Sequence, residues 1–119
     1  MPNVSPLVDP ASLQRLRRDL GGDEAVQNRF VNDFLALWHS RESRLRTALA
    51  SADLEEADVV LLSIRSSSRM LGAVRLENTA GRLQSTLKNR DLSGCRQQLP
   101  VLAEVGADTC LALSRHLAA

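Results

Sequence analysis

The sequence predicts an all-α protein of one domain, and three observations support that prediction. Apolar residues recur every three or four positions through most of the chain, which is the period of an amphipathic helix. No segment alternates apolar and polar residues over a useful length, and β-branched and aromatic residues are sparse, so strands are not expected. The length of 119 residues, 44% of them hydrophobic, suits one core. We therefore expect residues 9–119 to form a single helical domain.

The first ten residues separate a leader from the first helix. Three of the four prolines fall here, so residues 1–8 are predicted to be a disordered leader. Asp9 is a good N-cap, and Pro10 suits the first helical position. Leucines then recur at helical spacing until Gly21 and Gly22 end the run. The prediction is a short N-terminal helix that caps the domain.

Four longer helices follow, each with its own apolar stripe. The second runs from about 23 to 50, where Gly and Pro are absent. The third begins at the capping-box-like pair Asp53 and Glu56 and ends at Gly72. The fourth follows at once, and the fifth spans about 93–117. Short loops between such helices are typical of an up-down antiparallel four-helix bundle.

The apolar stripes predict the core. On the second helix the expected core residues are Val26, Phe30, Val31, Phe34, Leu35, Leu37, Trp38, Leu45, Ala48 and Leu49. On the third helix they are Ala57, Val60, Leu61, Ile64, Ser68 and Leu71. Cys95 and Cys110 lie on the stripe of the fifth helix, so we interpret them as small core residues rather than nucleophiles.

Composition excludes several classes of function. A net charge of +1 with no Tyr, one Trp and two Phe argues against nucleic-acid binding, which favours a basic excess and stacking aromatics. The longest apolar run, residues 34–38, is far shorter than the roughly 20 residues of a membrane span. No secretory signal precedes the two cysteines, so we expect a reducing cytoplasm.

The usual catalytic constellations are absent from the sequence. It has no Gly-rich phosphate loop, no CxxC and no histidine pair from which a bundle could build a metal site. His39 lies among polar residues, and His116 is placed as a cation favourable to a helix C-terminus. We therefore expect a protein that is not an enzyme and that holds neither a cofactor nor a metal.

The third helix carries an unusual outward face. A helical wheel places Asp58, Val59, Leu62, Arg65, Ser66 and Arg69 opposite the core stripe. Small serines and two arginines around an exposed Leu62 leave a shallow surface, which lets another protein approach the helix closely.

These residues resemble a known family. The segment from Asp53 to Ala73, DLEEADVVLLSIRSSSRMLGA, resembles the signature of histidine-containing phosphotransfer (HPt) domains, in which A-H-x-L-K-G-S-S-x-x-L-G-A follows an opening Asp. The segments FVNDFL, RLENTAGRLQ and QLPVLAE resemble the same family on the second, fourth and fifth helices. The resemblance implies an up-down four-helix bundle that passes a phosphoryl group between receiver-domain aspartates in two-component relays.

The departure from the family falls on the phosphoryl acceptor. Leu62 stands where the family has its phospho-accepting histidine, and leucine has no nitrogen to attack a phosphoryl group. Arg65 replaces the family's lysine and keeps the charge, whereas Ser66 replaces its glycine. Gln84 falls where the family often has a Gln or Glu that hydrogen-bonds the histidine ring. The chain is thus expected to be a degenerate, phosphorylation-incompetent HPt protein.

The leading hypothesis is a monomer that docks on the receiver domain of a response regulator or of a hybrid histidine kinase. It involves no nucleic acid and no membrane. The predicted partner-binding residues are Val59, Leu62, Arg65, Ser66, Arg69, Gln84 and Lys88. Three alternatives stay open: a relay that uses another acceptor such as His39, a structural or homodimerising bundle, and a drifted paralogue whose surface has no role.

Overall fold

Five helices make up the fold. The computed structural model describes residues 7–118, and within that range it contains no strand. The predicted all-α class is therefore confirmed. The helices are α1 (Pro10–Asp19), α2 (Glu24–Ala50), α3 (Leu54–Leu71), α4 (Val74–Lys88) and α5 (Leu92–Ala118).

Aspartate side chains begin three of the helices. The carboxylate of Asp9 accepts a hydrogen bond from the backbone N–H of the second residue of α1, and Asp23 accepts from the second and third residues of α2. Asp53 accepts from the backbone N–H of Glu56, the third residue of α3. Each satisfies a donor that the first helical turn leaves without an internal partner. The predicted starts at Asp9 and Asp53 are confirmed.

The turn between α3 and α4 is also the anchor of α1. Gly72 ends α3 with a φ of +72°, a left-handed conformation that favours glycine. Its carbonyl oxygen accepts a 2.8 Å hydrogen bond from the backbone N–H of Asp9. A Cβ on Gly72 would collide with Ser12 of α1, so glycine also permits the close approach of the two segments.

The four long helices pack in a ring. α3 lies between α2 and α4, and α5 lies between α4 and α2, so α3 and α5 are diagonal neighbours. The short α1 packs against α2 and α3. Neighbours along the ring are also neighbours in sequence, except where α5 closes on α2.

The core follows the predicted stripe of α3 completely, since all six of its predicted core residues are buried. On α2 the prediction was wrong for Phe30 and Leu37, which are exposed. A helix packed in a bundle buries a limited sector of its surface, and the apolar face of α2 is wider than that sector. Gln27 is buried instead, and its Nε2 donates a 2.6 Å hydrogen bond to the carbonyl of Leu13.

Only the end of the predicted leader can be described. Residues 1–6 lie outside the described residues, so the predicted disorder there stays a prediction. Leu7 and Val8 are half-buried, and Val8 packs against the core.

Trp38 fills the space between α2 and α5. Its indole packs beside the ring of Phe34, with ring centroids 6.2 Å apart and planes inclined by 17°. Gly106 of α5 lies directly under the indole, and a Cβ at this position would overlap the ring. Any side chain at residue 106 therefore requires the indole or the α5 backbone to move.

We expect Gly106→Ala to lower the free energy of unfolding by about 1–3 kcal/mol, the usual cost of overpacking a core. Urea denaturation followed by circular dichroism measures the change. Gly81→Ala is the matched control, because a Cβ there meets Arg65 only at ordinary contact distance, 3.5 Å or more. In that variant the gain in helix propensity should give equal or higher stability. Wild-type stability in Gly106→Ala would contradict the packing described here.

Candidate functional site

The outward face of α3 has two aliphatic residues at its centre. Leu62 is 54% exposed and Val59 is 50% exposed. Arg65, Ser66 and Arg69 are also exposed, one and two turns further along the helix. The helical register predicted from the sequence is therefore confirmed, because these five side chains share one accessible surface. We call Val59, Leu62, Arg65, Ser66 and Arg69 the α3 face.

The chemistry of the α3 face is limited by Leu62. A leucine side chain carries no lone pair or acidic proton, so it can neither accept nor donate a phosphoryl group. The hydroxyl of Ser63, beside the face, donates a 3.1 Å hydrogen bond to the carbonyl of Val59 within its own helix. What the centre of the face offers to a partner is accessible apolar area.

Gln84 does not lie on the surface as predicted. It is 7% exposed, on the side of α4 that packs against α3. Its Oε1 accepts a 2.6 Å hydrogen bond from Nη1 of Arg65, and its Nε2 donates a 2.7 Å hydrogen bond to Oδ1 of Asp58. The prediction of an exposed Gln84 was therefore wrong, because its side chain is bonded to Arg65 and Asp58 between the two helices. Lys88, one turn further along α4, is exposed.

Sequence reasoning missed an apolar groove between α2 and α3. Phe30 and Leu37 of α2 and Met70 of α3 line its rim and are exposed, whereas Phe34 and Leu71 form its buried floor. The groove has a volume of about 130 Å³. Met70 lies one helical turn after Ser66, so the groove continues the α3 face. This spacing of four residues was the feature of the sequence from which the groove could have been predicted.

A half-buried cation, Arg41, lines the groove beside its apolar residues. Nη1 of Arg41 donates a 3.2 Å hydrogen bond to the hydroxyl of Ser67. Burial lowers the pKa of Arg41 from its ordinary value, and the neighbouring Arg44 cation lowers it further. This hydrogen bond links α2 to α3 beside the exposed apolar side chains of the groove.

The remaining candidate residues lie on other elements. His39 is exposed on α2, and His116 is exposed in the last turn of α5. Cys95 is buried and Cys110 is half-buried; both are free thiols. Burial raises the pKa of both thiols, and the Asp91 carboxylate raises that of Cys95 further, which disfavours the reactive thiolate.

Two kinds of feature are absent from residues 7–118. No group of three or more His, Cys, Asp or Glu side chains is placed to hold a metal ion in this part of the chain. None of the helices described is long and apolar enough to cross a membrane.

Comparison with known families agrees with this geometry. The family model of the Hpt domain matches residues 29–117, which include all of α3 and α4 and therefore the α3 face. The chain belongs to the Hpt domain family. The α3 face lies within the matched residues, on the segment that resembles the family signature.

One curated relative shares sequence with this Hpt domain. It is "Pseudo histidine-containing phosphotransfer protein 2" of Oryza sativa subsp. japonica, which is 30% identical over 83 residues. The match covers 65% of this chain and 54% of the relative, so the chain spans about half the relative's length.

Solved structures of Hpt proteins share the fold. Histidine-containing phosphotransfer protein B of Pseudomonas aeruginosa PAO1 superimposes with a TM-score of 0.85 at 18% identity, over 95% of this chain and 96% of that one. The HPT domain of a sensor hybrid histidine kinase from Shewanella gives 0.73 at 12% identity, covering 89% and 92%. The maize phosphotransfer protein ZmHP2 gives 0.60 at 23% identity, covering 93% and 87%.

Proposed function

We propose that this Hpt domain is a docking protein of two-component signalling that carries no phosphate. It binds the receiver domain of a response regulator or of a hybrid histidine kinase through the α3 face, and it competes with histidine-bearing Hpt domains for that receiver. It is a binding protein rather than an enzyme, and it acts as a monomer in the cytoplasm.

The observation that carries this proposal is the exposed Leu62 at the centre of the α3 face. The family's function requires a nucleophilic imidazole at this position, and leucine supplies accessible apolar surface instead. Desolvating such a side chain against a partner contributes affinity without any chemical step. The printed name of the rice relative, a pseudo histidine-containing phosphotransfer protein, supports a role of this kind.

The arrangement of the helices supports docking on this side. In an up-down antiparallel bundle capped by α1, the α3 face lies beside the α2–α3 groove, so Leu37 and Met70 add exposed apolar side chains next to it. Such a surface, rimmed by charged residues, is typical of a protein interaction site.

Charge supports the choice of partner. The phosphorylation pocket of a receiver domain is lined by carboxylates. Arg65 and Arg69 on α3, together with Lys88 on α4, place cations around the apolar centre. This pairing of opposite charges steers the encounter and fixes the orientation of the complex.

The test is to measure binding and phosphoryl transfer together. The purified chain is mixed with each receiver domain of the same organism, which is first phosphorylated with radiolabelled phosphate. We expect a complex with at least one receiver and no label on the chain, because Leu62 cannot accept it. We also expect the chain to slow transfer from that receiver to a histidine-bearing Hpt domain.

Two results would overturn the proposal. One is stoichiometric, acid-labile and base-stable phosphate on the chain, which His39→Ala would then trace to His39 or exclude from it. The other is the absence of a complex with every receiver. If sedimentation across concentration instead finds a stable dimer, the docking face is occupied by a second copy and the homodimeric alternative holds.

A further inference from the structure

A row of three polar side chains joins α3 to α4 beside the docking surface. Arg65 donates to the Gln84 carbonyl oxygen at 2.6 Å, and the Gln84 amide nitrogen donates to Asp58 at 2.7 Å. A guanidinium only donates hydrogen bonds and an ionised carboxylate only accepts them. The orientation of the Gln84 amide is therefore determined by its two neighbours, and its oxygen must face Arg65.

This row holds a cation in place without neutralising it. Gln84 is nearly fully buried and carries no charge, so it restrains the Arg65 guanidinium by a hydrogen bond rather than an ion pair. None of the ion pairs found within residues 7–118 includes Arg65. By contrast, Arg44 between α2 and α3 is paired directly with Glu56. Asp58 lies on the far side of the amide, where it orients Gln84.

The path of the Arg65 side chain leaves its outer edge accessible. The chain crosses from α3 onto α4 at Gly81, where a Cβ would lie 3.5 Å from Nε and 3.7 Å from Cζ. Arg65 also lines an open cleft of about 530 Å³ together with Glu77, Asn78, Arg82 and Ser85 of α4. None of the ion pairs within residues 7–118 joins Arg65 to Glu77. A guanidinium has five N–H donors, and the bond to Gln84 uses one of them. The remaining donors can form two parallel N–H···O hydrogen bonds with the carboxylate of a partner, the bidentate geometry that arginine favours.

We infer that Gln84, oriented by Asp58, is a positioning residue that presents Arg65 as an uncompensated cation to a carboxylate at the rim of the receiver's phosphorylation pocket. This inference rests on the proposed function and deepens it, because it names the group that recognises the acidic partner and the residue that prepares it. Preorganising the guanidinium lowers the entropy lost when the complex forms. Keeping it unpaired preserves the charge that the partner recognises.

The deciding variant is the double substitution Asp58→Asn with Gln84→Glu. It keeps the size of both side chains, the hydrogen-bonded row and the net charge. It moves the negative charge from residue 58 to residue 84, directly against Arg65. We expect Kd for the receiver identified by the binding experiment above to rise about tenfold. We also expect a shallower slope of log Kd against log salt concentration, because one fewer charge pair forms across the interface.

Two further variants separate the effect of restraining the Arg65 side chain from the effect of adding a negative charge. Gln84→Leu removes the restraint and leaves Arg65 mobile, so it should weaken binding while the salt slope stays close to that of the wild type. Gln97→Glu makes the same Gln-to-Glu change at an exposed site on α5, the helix diagonal to α3, and should leave Kd within about twofold. Unchanged Kd and salt slope in the double variant would overturn the inference.

NMR of the free protein tests the positioning of Arg65 separately from receiver binding, so failure of the inference and failure of the proposed function can be told apart. The Nη protons of Arg65 in NMR spectra should exchange slowly and show hindered rotation in the wild type and in the double variant. In Gln84→Leu those signals should average. Averaged signals in the wild type would refute the positioning role. If the wild type binds no receiver, the proposed function and its carboxylate partner fail, and these signals still decide whether Gln84 positions Arg65.

Discussion

Leu62→His combined with Ser66→Gly is expected to turn this Hpt domain into a phosphoryl acceptor. Position 62 is half exposed, so an imidazole there can be reached by a phosphorylated receiver. Removing the Ser66 side chain, one helical turn away, opens the in-line approach to the ring nitrogen. Arg65 supplies a nearby cation that offsets the charge developing on the transferred group.

The transfer should be measurable and also slower than in a histidine-bearing Hpt domain. Gln84 is already bonded to Arg65 and Asp58, so it is not available to orient the new ring. We expect label on the double variant at least about tenfold above that on the wild type. Leu62→His alone should take up less, because the Ser66 side chain narrows the approach.

Leu111→His is the matched control for this gain of function. Leu111 is a leucine of similar exposure, 51%, on α5, diagonal to α3. A histidine there meets no receiver and should remain unlabelled. If the double variant is folded, binds the receiver and still takes no label, the α3 face has diverged beyond its two visible defects.

Leu62→Asp is expected to weaken receiver binding by about a hundredfold, or about 2.8 kcal/mol. The substitution removes apolar contact at the centre of the α3 face and places a carboxylate against the carboxylates of the receiver pocket. Titration calorimetry with the receiver measures the change. Folding should be unaffected within about 0.5 kcal/mol, because the side chain is exposed.

Leu111→Asp shows whether the loss of receiver binding is specific to the α3 face or follows from any exposed Leu-to-Asp change. It makes the same change at a leucine of the same exposure and should leave Kd within about twofold. Equal loss of binding in both variants would place the docking surface elsewhere. Unfolding of Leu62→Asp alone would mean that Leu62 supports the core.

The sequence was most informative on α3. Asp53 and Gly72 bound the helix with clear capping chemistry, and one stripe of apolar residues leaves a single choice of buried side. That choice also predicted the exposure of Leu62, since the residue lies opposite the stripe. Local rules suffice where one unbroken stripe of apolar residues marks the buried side of a helix.

The same reasoning failed where the answer depends on neighbouring helices. α2 is apolar over a wide sector, and only packing against α3 and α5 decides that Phe30 and Leu37 stay exposed. Gln84 looked like a surface residue because its polar side chain gave no sign of partners. Its hydrogen bonds reach residues 19 and 26 positions away in sequence, Arg65 and Asp58, a distance that periodicity along one helix does not resolve.

The indole packed over Gly106 gives the protein a built-in optical reporter. The chain has one tryptophan and no tyrosine, so its ultraviolet emission comes from Trp38 alone. This ring lies between α2 and α5, away from the α3 face, and loses its apolar surroundings only when those helices separate. A shift of the emission to longer wavelength therefore identifies a variant that has unfolded, whereas an unchanged spectrum in a variant that no longer binds shows that its fold is intact.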